Sequence, residues 1–146
     1  FTESQILFLG VFINLSGIIG CLILGAYEDK FGSERTVFVC IVSLFVSTFL
    51  LYFTKAYETF WVLALLIGFF IGPIQAASRS VIVKKIKSSD QLSAFCGFAM
   101  FGNICAILGP FFVSLTIDYS GSIRYGLVII PIFLLLSLVP FRKISV

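Results

Sequence analysis

The chain contains no histidine, and Asp, Glu, Lys and Arg together make up only 12% of its 146 residues, about half the share of an average soluble domain. The missing imidazole removes the commonest general base and a leading metal ligand. No carboxylate pair and no obvious Ser/Lys dyad stands inside an apolar run, so intramembrane catalysis has nothing to work with. The four cysteines, Cys21, Cys40, Cys96 and Cys105, show no CxxC spacing. That argues against a disulfide framework or thiolate metal site and leaves them as small packing residues. The expectation is therefore no enzyme, no metal and no cofactor. The net charge of +3 implies no nucleic-acid partner, because the basic residues fall in loops.

What is present is apolar. Sixty per cent of the residues are hydrophobic and the mean hydropathy is +1.14, more than a soluble fold of this size can hide from water. Five uncharged stretches follow one another: Ser4–Tyr27, Thr36–Thr54, Thr59–Ser78, Gln91–Ile117 and Tyr125–Phe141. Each is near the roughly 20 residues a helix needs to cross about 30 Å of hydrocarbon. A β-barrel would show short alternating segments instead. The expected fold is all-α: one polytopic integral membrane bundle over 1–146, with transmembrane helices near 5–26, 36–54, 59–78, 92–117 and 124–141.

Eight of the ten basic residues lie on one side of this arrangement: Lys30, Arg35, Arg79, Lys84, Lys85, Lys87, Arg142 and Lys143. Lys55 and Arg124 lie on the other. The positive-inside rule makes the first side cytoplasmic, with Phe1 outside and Val146 inside. Tyr52, Phe53, Tyr57, Phe60 and Trp61, with Tyr119 and Tyr125, read as an interfacial aromatic belt. Phe1 opens the chain without Met, and no positive segment precedes the first span, so no signal peptide is expected. The sequence reads as part of a longer one, and one further helix upstream would bring the count to six.

Small and polar residues mark the packed faces of helices in lipid. The first span carries Gly10, Asn14, Gly17, Cys21 and Gly25 on one side; the third carries Ala64, Gly68, Gly72, Gln75 and Arg79; the fourth carries Cys96, Ala99, Asn103, Ala106, Pro110 and Ser114. The second has a weaker stripe of Cys40, Ser43 and Ser47. The fifth has little beyond Gly126 and Ser137 to break its aliphatic run and is expected to face lipid. The amides Asn14, Gln75 and Asn103 need partners or water, because an unsatisfied amide in hydrocarbon costs several kcal/mol. They either line a solute path or bond between helices. Pro73 and Pro110 are expected to kink their helices, as a static bend or as a hinge, and Pro131 invites the same reading. No charge falls within a span core, which argues against a proton relay built from these helices alone.

The first cytoplasmic loop reads Gly25-Ala-Tyr-Glu-Asp29-Lys30-Phe31-Gly32-Ser-Glu-Arg35. It resembles the G-x-x-x-D-[RK]-x-G-x-[RK]-[RK] loop signature of the Major Facilitator Superfamily. Gly25, Asp29, Lys30, Gly32 and Arg35 match, and Glu34 departs from the usual basic pair. In chemical terms, Gly25 suits a closely packed helix end, Gly32 a tight turn, and Asp29 a cap on a neighbouring helix. One helix before the loop and four after it correspond, in that family, to helices eight to twelve of the C-terminal half. Gln75-Ala-Ala-Ser78-Arg79-Ser80, Phe95-Cys-Gly97-Phe98 and Ala106-Ile-Leu-Gly109-Pro110 resemble helices ten and eleven of the branch that holds the fungal vacuolar amino-acid effluxers and related bacterial permeases. Gly72-Pro73 departs from that branch, and the loop Lys84–Ser89 is more basic than its pattern.

The resemblance implies a secondary transporter that moves a small solute, amino acids being one candidate, by alternating access. Its partners would be membrane lipid, the solute and a missing N-terminal half. The membrane would be a bacterial inner membrane, or a vacuolar or other organelle membrane in a eukaryote. Asp29 would reach across to the other bundle and stabilise one state of the cycle. The competing reading is a stand-alone five-helix scaffold or assembly subunit without transport activity.

Overall fold

The computed structural model describes residues 3–54, 56–121 and 128–137. Within them lie α1 (Glu3–Phe31), α2 (Ser33–Phe53), α3 (Tyr57–Lys85), α4 (Gln91–Ser120) and α5 (Val128–Ser137). The first four are long and apolar enough to cross a membrane, and no strand occurs among the described residues. Lys55, Arg124, Tyr125, Gly126, Arg142, Lys143 and the ends of the fifth span lie outside the described residues.

The helices outrun the uncharged stretches. The 29 residues of α1 and of α3 span about 43 Å at 1.5 Å per residue, so their charged ends continue the helix into the headgroup layer. Glu28, Asp29 and Lys30 are the last turn of α1, not a loop, and Lys30 there complements the helix dipole. Gly32 alone separates α1 from α2. Its φ of 92° and ψ of 155° belong to a region that residues with a Cβ avoid. The sequence expectation for Asp29 as a cap needs correcting: Gly32 occupies the N-cap of α2 and no side chain caps it. Among the described residues Gly25 is also not closely packed against another helix, since nothing beyond its own helical turn lies within 4 Å of where its Cβ would be.

Helix α3 is central, packing along both α1 and α2. Against α1 it runs parallel, with Ser16 beside Leu65, Gly17 beside Gly68 and Cys21 beside Gly72. The approach is backbone to backbone. A Cβ on Gly20 would overlap the Phe69 carbonyl and come within 2.9 Å of its carbon; one on Gly68 would meet the Ile13 carbonyl oxygen at 2.6 Å. Pro73, buried within α3, removes the N–H that would otherwise bond the Phe69 carbonyl. That oxygen points into the space a Gly20 side chain would fill, where the glycine Cα–H is its neighbour, a weak but recurrent helix–helix contact. Ser16 adds a hydrogen bond from its hydroxyl to the Leu65 carbonyl at 2.8 Å.

The face of α2 turned to its neighbours is the best buried in the chain, although its stripe is the weakest to the eye. Thr36, Val37, Cys40, Ile41, Leu44, Ser47 and Thr48 recur at helical spacing and are all buried. Val37 and Ile41 pack on Ala77 of α3, with Ile74 and Val81 beside them. The hydroxyls of Thr36, Ser47 and Thr48 bond carbonyls four residues back, so they pack as small residues without needing a partner helix.

The expected stripe on α4 is not a packed contact. Cys96, Ala106, Pro110 and Ser114 are exposed, and α4 buries none of its described residues. Only its N-terminal half approaches α3. The Phe112 ring meets Phe133 of α5 at 5.8 Å, and Pro131 is buried inside α5 while most of its neighbours are open. At the opposite end of α3 from Lys85, Trp61 gathers Tyr57 and Phe12. Its indole N–H is buried without an acceptor among the described residues.

Candidate functional site

Two grooves flank α3 and share one side chain. The first, of about 480 Å³, runs between α1 and α3 and is lined by Asn14, Gly17, Cys21, Gly68, Gly72 and Gln75 among others. The second, of about 600 Å³, lies between α3 and α4 and is lined by Gln75, Arg79, Phe95, Phe98, Ala99, Gly102 and Asn103. Gln75 belongs to both. The three amides singled out in the sequence therefore converge on one region of α3, Asn14 from one side and Asn103 from the other.

Their hydrogen bonding differs. The Asn14 Nδ2 donates to the Gly10 carbonyl of its own helix at 2.8 Å, which leaves its oxygen free towards the groove. Gln75 and Asn103 are exposed, and neither makes a side-chain hydrogen bond to another described residue. Of the two alternatives for the amides, an interhelical bond is absent among the described residues.

Arg79, which the sequence sets both on the polar face of the third span and among the basic residues that follow it, belongs to the helix. Because α3 runs on to Lys85, Arg79 is helical and lies five residues, about 7.5 Å, deeper than Lys84. It stands one turn from Gln75 on the same groove wall. The chain has seven carboxylate side chains, all within the described residues, and Arg79 forms an ion pair with none of them. Phe95 and Phe98 supply apolar walls. Both stand in the Phe95-Cys-Gly97-Phe98 stretch that carries the resemblance, but neither is among the candidate site residues of the sequence.

The signature loop forms a third cluster, around a small cleft of about 240 Å³. Lys84 Nζ donates to Ser33 Oγ at 2.7 Å, and Ser33 donates onward to Glu28 Oε1 at 2.6 Å. Lys84 and Glu28 also face each other at 3.9 Å. Beside them, Lys85 pairs with Glu34 at 2.7 Å. The residues that tie the turn to α3 are thus not the signature ones. Asp29 and Arg35 are exposed and form no ion pair among the described residues, while Lys30 lies over the Phe31 ring. Glu34, a departure from the signature, is matched by Lys85, a departure from the branch: the two irregularities are one ion pair. At the end of α3, Gln91 Nε2 donates to the otherwise unpaired Val83 and Ile86 carbonyls.

The profile of the Major Facilitator Superfamily matches residues 1–145. The Uncharacterized MFS-type transporter YxiO of Bacillus subtilis (strain 168) is 29% identical over 100 residues, covering 68% of this chain and 23% of its own length. Autophagy-related protein 22 of Cryptococcus neoformans var. neoformans serotype D is 22% identical over 161 residues, covering 99% of this chain and 28% of its own. The Multi-drug resistance efflux pump PmrA homolog of Lactococcus lactis subsp. lactis is 25% identical over 135 residues, covering 90% and 33%. The chain thus spans about a quarter to a third of the length of these curated relatives. No solved structure matches.

Proposed function

We propose, because the chain belongs to the Major Facilitator Superfamily, that it is helices eight to twelve of a secondary transporter. As such it would contribute most of a C-terminal bundle that rocks against an N-terminal one around a midplane site. The solute is a small organic molecule, amino acids included. As an integral membrane segment it would hold the Lys84–Glu28 end in the cytoplasm, because the positive charges concentrate there. The membrane is a bacterial inner membrane, or a vacuolar or other organelle membrane in a eukaryotic host.

The observation that carries this reading is the convergence of Asn14, Gln75 and Asn103 on two grooves that meet at Gln75. Lipid offers an amide no partner. A face with open amides on both sides of one helix suits a water-filled path better than a lipid surface. Pro73, one turn upstream of Ala77 and two residues before Gln75, keeps local backbone geometry adjustable there. Asp29, exposed at the turn, is free to contact a facing bundle.

The test is Gln75→Ala in the full gene product, reconstituted in proteoliposomes. Uptake or efflux changes while expression and thermal stability hold. Unaltered kinetics with stability lowered by about 0.6 kcal/mol, the membrane average for an interhelical bond, would remove Gln75 from the path.

A further inference from the structure

We infer that the α3–α4 groove is an anion-selective subsite, in which Arg79 takes the carboxylate of a small solute whose apolar body lies against Phe95 and Phe98. The inference deepens the transport reading and rests on it.

The first argument is charge. A guanidinium carries five donors in a fixed fork and stays protonated at any accessible pH. Inside a membrane protein such a group is costly and finds a counter-charge or water. None of the chain's seven carboxylate side chains pairs with Arg79: Glu28 and Glu34 face Lys84 and Lys85 instead, and Asp29, Asp90, Glu3, Glu58 and Asp118 form no ion pair with it. The fork is left open to the groove. Lys84 and Lys85, which have carboxylates opposite them, mark the contrast one to two turns further along the same helix.

Shape is the second. Gln75 and Asn103 stand on the same groove as Arg79 and add neutral donors without adding a positive charge. A carboxylate has two oxygens and about four lone pairs to fill, and the paired geometry with arginine is favoured over a point-charge contact. The remaining wall is Phe95, Phe98, Ala99 and Gly102, which offers an apolar body nothing polar to desolvate. No Asp or Glu lines the groove, so an ammonium group would meet amide oxygens but no counter-charge. The groove favours monocarboxylates over amines and over the corresponding neutral amides.

The experiment measures binding of radiolabelled phenylacetate, hexanoate and acetate, and of their three amides, to the purified full gene product in detergent. Wild type binds phenylacetate saturably and more tightly than phenylacetamide. Arg79→Gln weakens phenylacetate about tenfold or more, the least expected from loss of a charge-assisted hydrogen bond, and leaves the amide unchanged. Arg79→Lys, which keeps the charge and guards against misfolding of the Gln variant, gives an intermediate loss. Two results overturn the inference: acids binding no better than their amides, or acid binding indifferent to Arg79→Gln. The second, accompanied by a lowered melting temperature, would make Arg79 a headgroup anchor. If the acids fail while Gln75→Ala still alters uptake, only the anionic class falls. If Gln75→Ala alters nothing, the transport path falls and this subsite with it.

Discussion

Replacing Gly20 by alanine tests the α1–α3 contact at its tightest point. In an exposed stretch of helix the change stabilises by about 1 kcal/mol, since alanine restricts the unfolded chain and favours helix. Gly10 and Gly25 offer that baseline, as among the described residues no atom beyond their own helical turn stands within 4 Å of their Cβ positions. At Gly20 the added methyl would overlap the Phe69 carbonyl, with the Phe69 Cα at 3.2 Å. Backbone cannot rotate aside, so the helices must separate. Overpacking costs about 1–3 kcal/mol, and the lost Cα–H···O approach adds about 0.5–1 kcal/mol. Set against the propensity gain, the net is a destabilisation of about 0.5–3 kcal/mol, while Gly10→Ala and Gly25→Ala are neutral or stabilising. Unfolding of the full gene product in mixed detergent–dodecyl sulfate micelles, followed by circular dichroism, reads all three variants on one scale. Gly20→Ala unfolding at the same midpoint as Gly10→Ala would refute the close approach.

The same interface predicts a crosslink. A Cβ at residue 72 would lie 2.8 Å from the Cys21 sulfur, so Gly72→Cys in a background where Cys21 is the sole other cysteine should oxidise to a disulfide, seen after proteolysis between α2 and α3. Two separate fragments would disprove the register. Glu34→Lys should lower stability by about 0.2–1 kcal/mol, the range of an exposed pair, and Lys85→Glu added to it should restore the loss; additive losses would dissolve the pair. Asp29→Asn should slow transport without changing helix content, and equal loss of both would return Asp29 to a local role. A cysteine at Ser88 should react with impermeant reagent only from the cytoplasm and one at Glu58 only from outside; the reverse would invert the orientation.

How much of this was legible beforehand varied with the physics involved. The all-α fold with long apolar helices was, because lipid demands long uncharged runs and the demand is local. Helix ends were not: Glu28, Asp29, Lys30 and Arg79 read as loop because they are charged, yet charge and helix coexist once the chain reaches the headgroups. The small-residue stripes found Gly17, Cys21, Gly68 and Gly72 but missed Gly20 and Ser16. Which glycines touch depends on where two helices cross, and no single helix encodes that. On α4 only Ala99 and Asn103 of the stripe face α3 across a groove, and the rest is exposed among the described residues. The weak stripe of α2 proved the most buried, since Thr36 and Thr48 satisfy themselves and pack like small apolar residues. Glu34 and the basic end of α3 each appeared irregular alone. Only the parallel register of α1 and α3, which brings the turn after α1 beside Lys84 and Lys85, makes them a pair. The three amides were visible as a set, and their meeting at Gln75 follows from α3 lying between the other two helices.

The parallel pairing of α1 with α3 also has a consequence for biogenesis. Ser16 and Leu65 are 49 residues apart, and ribosomes add about 5–20 residues per second. The first helix therefore waits roughly 2–10 s for the surface it is shaped to meet. During that interval its glycine face lacks the α3 surface it packs against, and α2, which touches α1 far less than α3 does, does not replace that neighbour. The bond from Asn14 back to Gly10 requires no other helix, so the amide near the middle of the waiting segment arrives with one of its donors already satisfied. Assembly here is gated by synthesis of the third helix, and pauses in translation between the second and third would lengthen the time the first spends exposed to quality control.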